Sequence, residues 1–332
     1  MSTERIDPHD PAAFDEWHAV QVAAVTAGRE FAVHWPREEM RIAMTQPTPY
    51  WEKEIWATRD ETGRMVGTLF VDVPLKDNLS LMSMEVGVLP EHRRLGHGSA
   101  LARLADDRAA HHRRTIVQTM VHTPLGGSSA GQTFARAQGM TVGIADMHRI
   151  LQLPLEVAFL EKLAAEIAEH HRDYRLVTWQ NHCPDDLIDA YAALESTFNA
   201  EAPMGELETE PEIYDAARIR FREQQAVAQG RNSWVTAAIA PDGTFAGHTE
   251  LFCPTHNPTD AFQSGTLVAP AHRGHRLGLA LKTANHLELQ RTHTEPRVLH
   301  TWNAEENTAM NAVNAQLGYR AVELTEEWQR VS

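Results

Sequence analysis

The chain is 332 residues long, 42% hydrophobic and 23% charged, with a formal net charge of -15 and two cysteines. At about 150 residues per domain that length calls for two domains, and no apolar run nears the ~18 residues of a membrane span. The acidity argues against nucleic acid as a partner, because affinity for it comes mainly from Lys and Arg on phosphates.

The amino terminus, MSTERIDPHDPAAF, has no basic stretch followed by an apolar one, so a cytoplasmic protein without a secretory signal is expected. Taken in chain order, WEKEIWATRDETGRMVGTLFVDV predicts two strands joined by a polar turn over 60–63, with Gly where a hairpin requires it. Next come a strand, MSMEVGVLP, a turn rich in Gly and Arg, a helix over 99–112, the strand TIVQTMV, a helix over 130–138 and a closing strand over 147–153. Leu155, Phe159, Leu163 and Ile167, spaced at four residues, predict an amphipathic linking helix over 155–172. Beyond it, SWVTAAIA, GTFAGHTELF and SGTLVAP read as strands, 277–290 as a helix, VLHTW as a strand, 305–317 as a helix, and a last strand follows. Cys183 and Cys253 lack CxxC spacing, and the pairs His111-His112 and His170-His171 point to different sides of a helix. Neither a disulfide framework nor a metal site is expected.

The second set of elements repeats the first. Gly63 and Gly67 recur as Gly243 and Gly247, and Val88, Pro90, His92, Arg93, Gly98, Ala100 and Leu101 recur as Val268, Pro270, His272, Arg273, Gly278, Ala280 and Leu281, all at a shift of 180. Gly139-Met140 matches Gly318-Tyr319 at a shift of 179. One register fits both halves, which is the mark of a duplication. The expected domains are 1–154 and 173–332, each an α+β unit.

Each half carries a loop between a strand and a helix: Arg93-Arg94-Leu95-Gly96-His97-Gly98-Ser99 and Arg273-Gly274-His275-Arg276-Leu277-Gly278-Leu279. Such a turn aims several backbone N–H groups at one point beside the positive end of a helix dipole, which suits a pyrophosphate. Glycines permit close approach and arginines add charge. The dinucleotide fingerprint Gly-x-Gly-x-x-Gly with a later acidic residue is absent.

The spacing Arg-x-x-Gly-x-Gly at Arg93, Gly96 and Gly98 resembles the coenzyme A signature of the GNAT superfamily. The second loop, with Arg276 in place of the middle Gly, followed by Leu-Ala-Leu-Lys, and the segment from Thr301 to Asn307 resemble the second half of actinobacterial tandem GNAT proteins. In layout the chain is similar to mycothiol synthase. The resemblance implies two tandem GNAT domains, each a mixed, mostly antiparallel sheet flanked by helices, and transfer of an acetyl group from acetyl-coenzyme A to a small-molecule primary amine, in a monomer or homodimer. It implies that Val86, Val88, the residues from Arg93 to Ser99, Val268, the residues from Arg273 to Leu279, Asn303 and Asn307 bind the cosubstrate. An N–H of Val88 or Leu89, and of Val268 or Ala269, is to hold the thioester oxygen. The base is to be a carboxylate, Glu85 in one half or Glu250 in the other. Glu206, Glu208 and Gln263 are candidates for the acceptor side. The tyrosine that GNAT enzymes often use as acid, four residues before the Gly-aromatic pair, is replaced by Ala135 and Asn314. Two other readings stay open: an acyl-coenzyme A sensor or scaffold without turnover, and a biosynthetic enzyme using another acyl group.

Overall fold

The computed structural model describes residues 2–332, with backbone only for Asn199 and Ala200. The first half runs β1 (Ser2–Arg5), α1 (Pro11–Thr26), α2 (Arg37–Thr45), β2 (Trp51–Arg59), β3 (Met65–Pro74), β4 (Leu81–Val88), α3 (His97–His111), β5 (Ile116–Pro124), α4 (Ala130–Ala137) and β6 (Thr141–Gln152). Then follow α5 (Val157–Ile167), β7 (Arg175–Gln180), α6 (Ile188–Glu195), α7 (Phe198–Glu201), α8 (Ala216–Ala228), β8 (Arg231–Ile239), β9 (Phe245–Pro254), β10 (Asp260–Val268), α9 (Leu277–Thr292), β11 (Val298–Ala304), α10 (Thr308–Leu317) and β12 (Arg320–Val331).

The chain folds into two compact units. One comprises the residues up to Ala145 together with Met204–Glu210 and Glu323–Ser332; the other comprises Asp146–Pro203 and Pro211–Val322. Each has six strands, in the order β1-β2-β3-β4-β5-β12 in unit 1 and β6-β11-β10-β9-β8-β7 in unit 2. Each closing strand therefore comes from the other half of the chain. β12 runs antiparallel to β5 from Glu323 opposite Pro124 to Val331 opposite Ile116, and β6 runs antiparallel to β11 from Asp146 opposite Ala304 to Gln152 opposite Val298. The other pairings are antiparallel except β4 with β5 and β10 with β11.

The repeat is visible at atomic detail in the hairpin turns. Asp60 Oδ1 accepts from the N–H groups of Thr62 and Arg64, with Gly63 at φ +88°; Asp242 Oδ1 accepts from that of Thr244, with Gly243 at φ +89°. A left-handed residue is what a tight hairpin turn needs, and glycine supplies it without strain.

In unit 1, α1 and α2 cover one face of the sheet through Phe14, Trp17, Met40, Ile55 and Met65. On the other face α3 packs Leu101 and Ala105 against Leu69, Val71, Met82, Val117 and Trp328. In unit 2, α5 and α9 bury Leu160, Leu279 and Leu289 against Trp234, Leu251 and Leu299, while α6 and α8 bury Ile188, Tyr191 and Ile219 against Val235, Ala237 and Leu267. The linking helix is shorter than its sequence pattern, and its apolar stripe is Leu160, Leu163 and Ile167; Phe159 is 39% exposed. A strict four-residue spacing drifts about 40° per step around a helix of 3.6 residues per turn, whereas steps of three and four stay on one face.

Trp328 is 2% exposed in the core of unit 1 although it lies near the end of the chain. Trp328→Ala is expected to destabilise unit 1 by about 3–5 kcal/mol. Denaturant unfolding checks this, and a loss below about 1 kcal/mol would show that β12 adds little to that core.

Candidate functional site

Both Gly/Arg loops have the same backbone. After a single 3-10 turn, Arg93 and Arg273 are extended at φ -69°. Two left-handed residues follow, two positions apart: Arg94 (φ +65°) and Gly96 (φ +94°) in unit 1, Gly274 (φ +89°) and Arg276 (φ +53°) in unit 2. Glycine and arginine have traded places within one conformation. The replacement of the middle Gly by Arg276 therefore leaves the path of the chain unchanged, at the cost of holding a residue with a Cβ in a region that disfavours it.

Asp10, Ser129, Asp215 and Asn307 cap α1, α4, α8 and α10, while no side chain caps the first turn of α3 or α9, nor of α2, α5, α6 or α7. The leading N–H groups of α3 and α9 are thus left for an anion. The first arginine of each loop turns elsewhere: Arg93 Nε donates to the carbonyl of Val88 at 3.0 Å and Arg273 Nε to that of Val268 at 3.3 Å, with Arg273 also 2.6 Å from Glu201. These two brace the loop against its strand. Arg94, Leu95, Gly96, Ser99, Gly274, His275 and Arg276 are exposed, while the side chains of His97, Leu277 and Leu279 are buried and leave only backbone to the loop surface. At Gly278 an added Cβ would meet nothing nearer than 3.9 Å, but at Gly98 it would meet the Phe134 ring at 3.2 Å. The second loop has the more open approach.

The sheets open beside these loops. β4 pairs with β5 only from Leu81 to Ser83, and β10 with β11 only from Asp260 to Phe262. Beyond those pairs the strands part, which exposes one backbone edge of β4 and of β10. The Leu89 N–H donates to Val66 and the Ala269 N–H to Ala246. Since successive N–H groups of a strand point to opposite edges, those of Val88 and Val268 face the opening.

Unit 2 adds a bulge. Gln263 lies opposite Leu251 and Thr266 opposite Thr249, so Ser264 and Gly265 together oppose the single residue Glu250. Bulges of this kind re-aim side chains and release backbone groups from a ladder. Gln263 is buried and holds the bulge in place, its Nε2 donating to Thr249 Oγ1 at 3.0 Å and to the Glu250 carbonyl at 2.6 Å. It braces the strand and does not line the adjoining cavity.

That cavity, of about 180 Å³, is lined by Glu195, Ser196, Phe198, Glu212, Tyr214, Arg222, His248, Glu250, Ser264 and Gly265. Beneath it runs a charge network. Arg222 Nη1 donates to Glu195 at 2.5 Å, Arg222 Nη2 donates to the Tyr191 hydroxyl at 2.9 Å, and His248 Nε2 lies 2.9 Å from Glu195. Burial alone would push the Glu195 carboxyl up, but His248 and Arg222 outweigh it and hold it well below the usual range. Glu250, two residues along β9 from His248 and hence on the same face, is in the opposite state. Burial raises its carboxyl above the ordinary value, opposed by Arg222, reinforced by Glu195. Two neighbouring carboxylates with pKa values driven apart are the usual arrangement for dividing a structural from a proton-transfer role.

Unit 1 has no bulge at the matching place. β3 and β4 pair without interruption from Gly67 opposite Val88 to Asp72 opposite Ser83, and Glu85 faces Phe70. Glu85 keeps solvent access in a recess crowded by protein, which raises its carboxyl; Arg29 and a 2.7 Å hydrogen bond from Gln21 Nε2 oppose the rise. Gln21 is fixed in turn by the Thr68 hydroxyl. Val86 is half-buried and packs on the core.

Of the remaining candidates, Asn307 caps α10 by accepting from the Met310 N–H at 3.2 Å, and Asn303 Oδ1 accepts from Asn314 at 2.7 Å. Glu206 belongs to unit 1, where its carbonyl accepts from Gln329, and the Glu208 N–H donates to the same side chain. Neither lines the unit 2 cavity. Besides Glu250, the carboxylates that do so, Glu195 and Glu212, come from α6 and from the segment before α8. Sequence reading missed them together with Arg222 and His248; the available signal was His248 standing where the first repeat has Thr68. The described residues that could gather round a metal ion are Glu52, Glu54 and His112, but Arg108 already holds Glu54 through two bonds of 2.6 and 2.7 Å.

No family model and no curated protein matches the chain. Solved structures do. Over 99% of its length it is similar to a tandem GNAT protein from the clavulanic acid biosynthesis pathway, covering 98% of that chain at 26% identity and a TM-score of 0.79. It is also similar to a GCN5-related N-acetyltransferase from Sphaerobacter thermophilus (12% identity, 99% of this chain and 95% of that one, TM-score 0.65) and to one from Kribbella flavida (14%, 99% and 70%, TM-score 0.51). The fold is the tandem GNAT fold, as the two Gly/Arg loops led one to expect. Among the described residues no helix is long and apolar enough to cross a membrane.

Arg276→Gly is expected to stabilise unit 2 by about 0.5–1 kcal/mol, the relief at φ +53° exceeding the added freedom of the unfolded chain. Thermal unfolding checks it; a lower melting temperature would mean that the Arg276 side chain contributes more than its backbone costs.

Proposed function

We propose that this tandem GNAT chain is an acyl-coenzyme A-dependent N-acyltransferase, moving an acetyl group from acetyl-coenzyme A to a primary amine of a small molecule by direct attack on the thioester, and that unit 2 performs the chemistry. The observation that carries this reading is Glu250: a recessed carboxylate with a raised pKa, set by the bulge at the wall of a cavity beside the open edge of β10.

The residues that would hold the cosubstrate in unit 2 are the N–H groups of the loop from Gly274 to Gly278 and the first turn of α9 for the pyrophosphate, with the Val268 N–H directed at the thioester oxygen. Bound acetyl-coenzyme A supplies an activated acyl carbon. The cavity sorts the acceptor. Glu195, Glu212 and Glu250 outnumber Arg222 among its charged walls, and Phe198 and Tyr214 add ring surface. A compact ammonium is drawn in and an anion repelled.

An amine with pKa near 10.4 is almost wholly protonated at neutral pH and cannot attack as such. The Glu250 carboxylate takes that proton, and its raised pKa brings it closer to the working pH, where a base is most effective. The nitrogen lone pair then forms the C–N bond while the Val268 N–H steadies the charge on oxygen; the C–S bond breaks, the thiolate leaves, and the second proton of the now cationic nitrogen passes to water as the amide forms.

Unit 1 supports a different role for its loop, that of binding coenzyme A without turnover. Its β4 has no bulge, and Gln21 ties Glu85.

Glu250→Gln is expected to lower kcat/KM by about 10² to 10⁴ with coenzyme A affinity unchanged, measured as thiol release across a panel of amines. Glu85→Gln is expected to change it by less than about threefold; the reverse pattern would move the chemistry to unit 1, and no turnover on any amine would sink the enzyme reading. The sign of the pH effect follows from the raised pKa. Activity rises with pH as Glu250 ionises, on a limb lying above the ordinary carboxylate range, and that limb is absent from Glu250→Gln. Because the folded state binds its proton more tightly than the unfolded one, Glu250 lowers stability as pH rises through this window. Glu250→Gln is therefore expected to melt higher than the parent at pH 7.

A further inference from the structure

Lys282, in the second turn of α9, is 1% exposed, and among the described residues no carboxylate acts on its charge. Its ammonium has one hydrogen-bond partner, Asn314 Oδ1 at 2.6 Å, and lies 5.0 Å from the centre of the Tyr319 ring. Asn314 is fully buried on α10. With its oxygen turned to Lys282, its Nδ2 donates to Asn303 Oδ1 at 2.7 Å. Asn303 is half-buried on β11, past the point where that strand has parted from β10. Its oxygen is occupied by Asn314, so its own NH₂ is left as the donor at the end of the row.

A buried cation with no counter-ion is costly, and burial lowers the Lys282 pKa to about 7. What it does in that place is polarise. An ammonium at one end of a hydrogen-bonded row of amides orients both carbonyls toward itself and strengthens the donor at the far end. That far end is carried by the part of β11 that no longer pairs with β10, the side on which the thioester is expected, and the position of Asn314 is the one at which the tyrosine acid is missing. Unit 1 has Ala102 and Ala135 at the matching positions, so it has no such row.

We propose that Lys282, acting through Asn314 and Asn303, presents an amide donor that stabilises the coenzyme A thiolate as it departs. This rests on the assignment of acyl transfer to unit 2. Lys282 is a positioning residue and gives up no proton: the ammonium's first proton goes to Glu250, the second, lost from the cationic nitrogen after the C–N bond forms, goes to water, the electron pair of the broken C–S bond goes to sulfur, and the thiolate is protonated later from solvent. The titratable groups facing Lys282 are His286 on its own helix and Tyr319 at the end of α10. Burial and the lysine charge push His286 down to about 3, and burial pushes the Tyr319 hydroxyl up, so both stay neutral while Lys282 titrates.

The test uses the full chain with two near-isosteric variants, Lys282→Met and Asn314→Leu. Each is expected to lower kcat by about tenfold or more with KM for acetyl-coenzyme A within about threefold, because one transition-state donor has been weakened. The loss is to shrink when the donor is a thioester of a more acidic thiol. A second readout needs no amine. The thiol of bound coenzyme A, followed by thiolate absorbance against pH with the unit 1 loop blocked by Gly98→Trp, is to ionise at lower pH in the otherwise unaltered chain than with Lys282→Met added. Loss of a buried unpaired charge is not expected to lower the melting temperature, which keeps misfolding apart from the effect sought. Unchanged kcat, an equal loss for every leaving group, or identical thiol ionisation would overturn the proposal. If no amine turns over but the thiol shift is present, the assignment of acyl transfer fails and the polarised row stands.

Discussion

Everything at the site depends on a parallel strand pair that holds together for three residues and then comes apart. In unit 2 the pairing of β10 with β11 stops at Phe262, and in unit 1 that of β4 with β5 stops at Ser83. A sheet continued to its end would satisfy its own backbone and leave nothing to bind with. Parting gives up a few hydrogen bonds and gains a slot whose wall is a row of N–H and C=O groups in fixed positions. The helix that follows each of β4 and β10 begins at that slot without a side-chain cap, so two sources of unsatisfied N–H groups, strand edge and helix start, meet at one place.

The two units keep this framework and differ in what is laid upon it. The bulge in β10 sets Glu250 against two residues instead of one, beside an acidic cavity, whereas the unbroken ladder of β4 leaves Glu85 tied to Gln21. A duplicated fold preserves scaffold more readily than chemistry, because the scaffold rests on many small burial terms and the chemistry on a few exact placements.

Unit 2 also carries the less comfortable interior. Arg222 and Glu195 pair directly, with His248 2.9 Å from the same carboxylate, but Glu250 and Lys282 are ionisable groups held where burial penalises their charged forms. Nothing in folding asks for either. Strain of this kind gathers where a site needs groups poised near neutrality, and it limits stability as a consequence.

The sequence by itself determined the duplication, the α+β elements and the place of both loops, because these follow from local signals: breakers, apolar period and a register of 180 between the halves. It also brought Glu250 and Glu85 forward, as carboxylates on the strands that lead to each loop. Only the tertiary structure decided that β6 and β12 close the opposite units, that Arg276 takes a left-handed conformation, that Gln263 braces a bulge, and that Arg93 and Arg273 turn back onto their strands. Glu195, Arg222 and His248 lie on three separate elements, as do Lys282, Asn314 and Asn303. Their meeting is set by which faces pack together, and one-dimensional spacing holds no record of that.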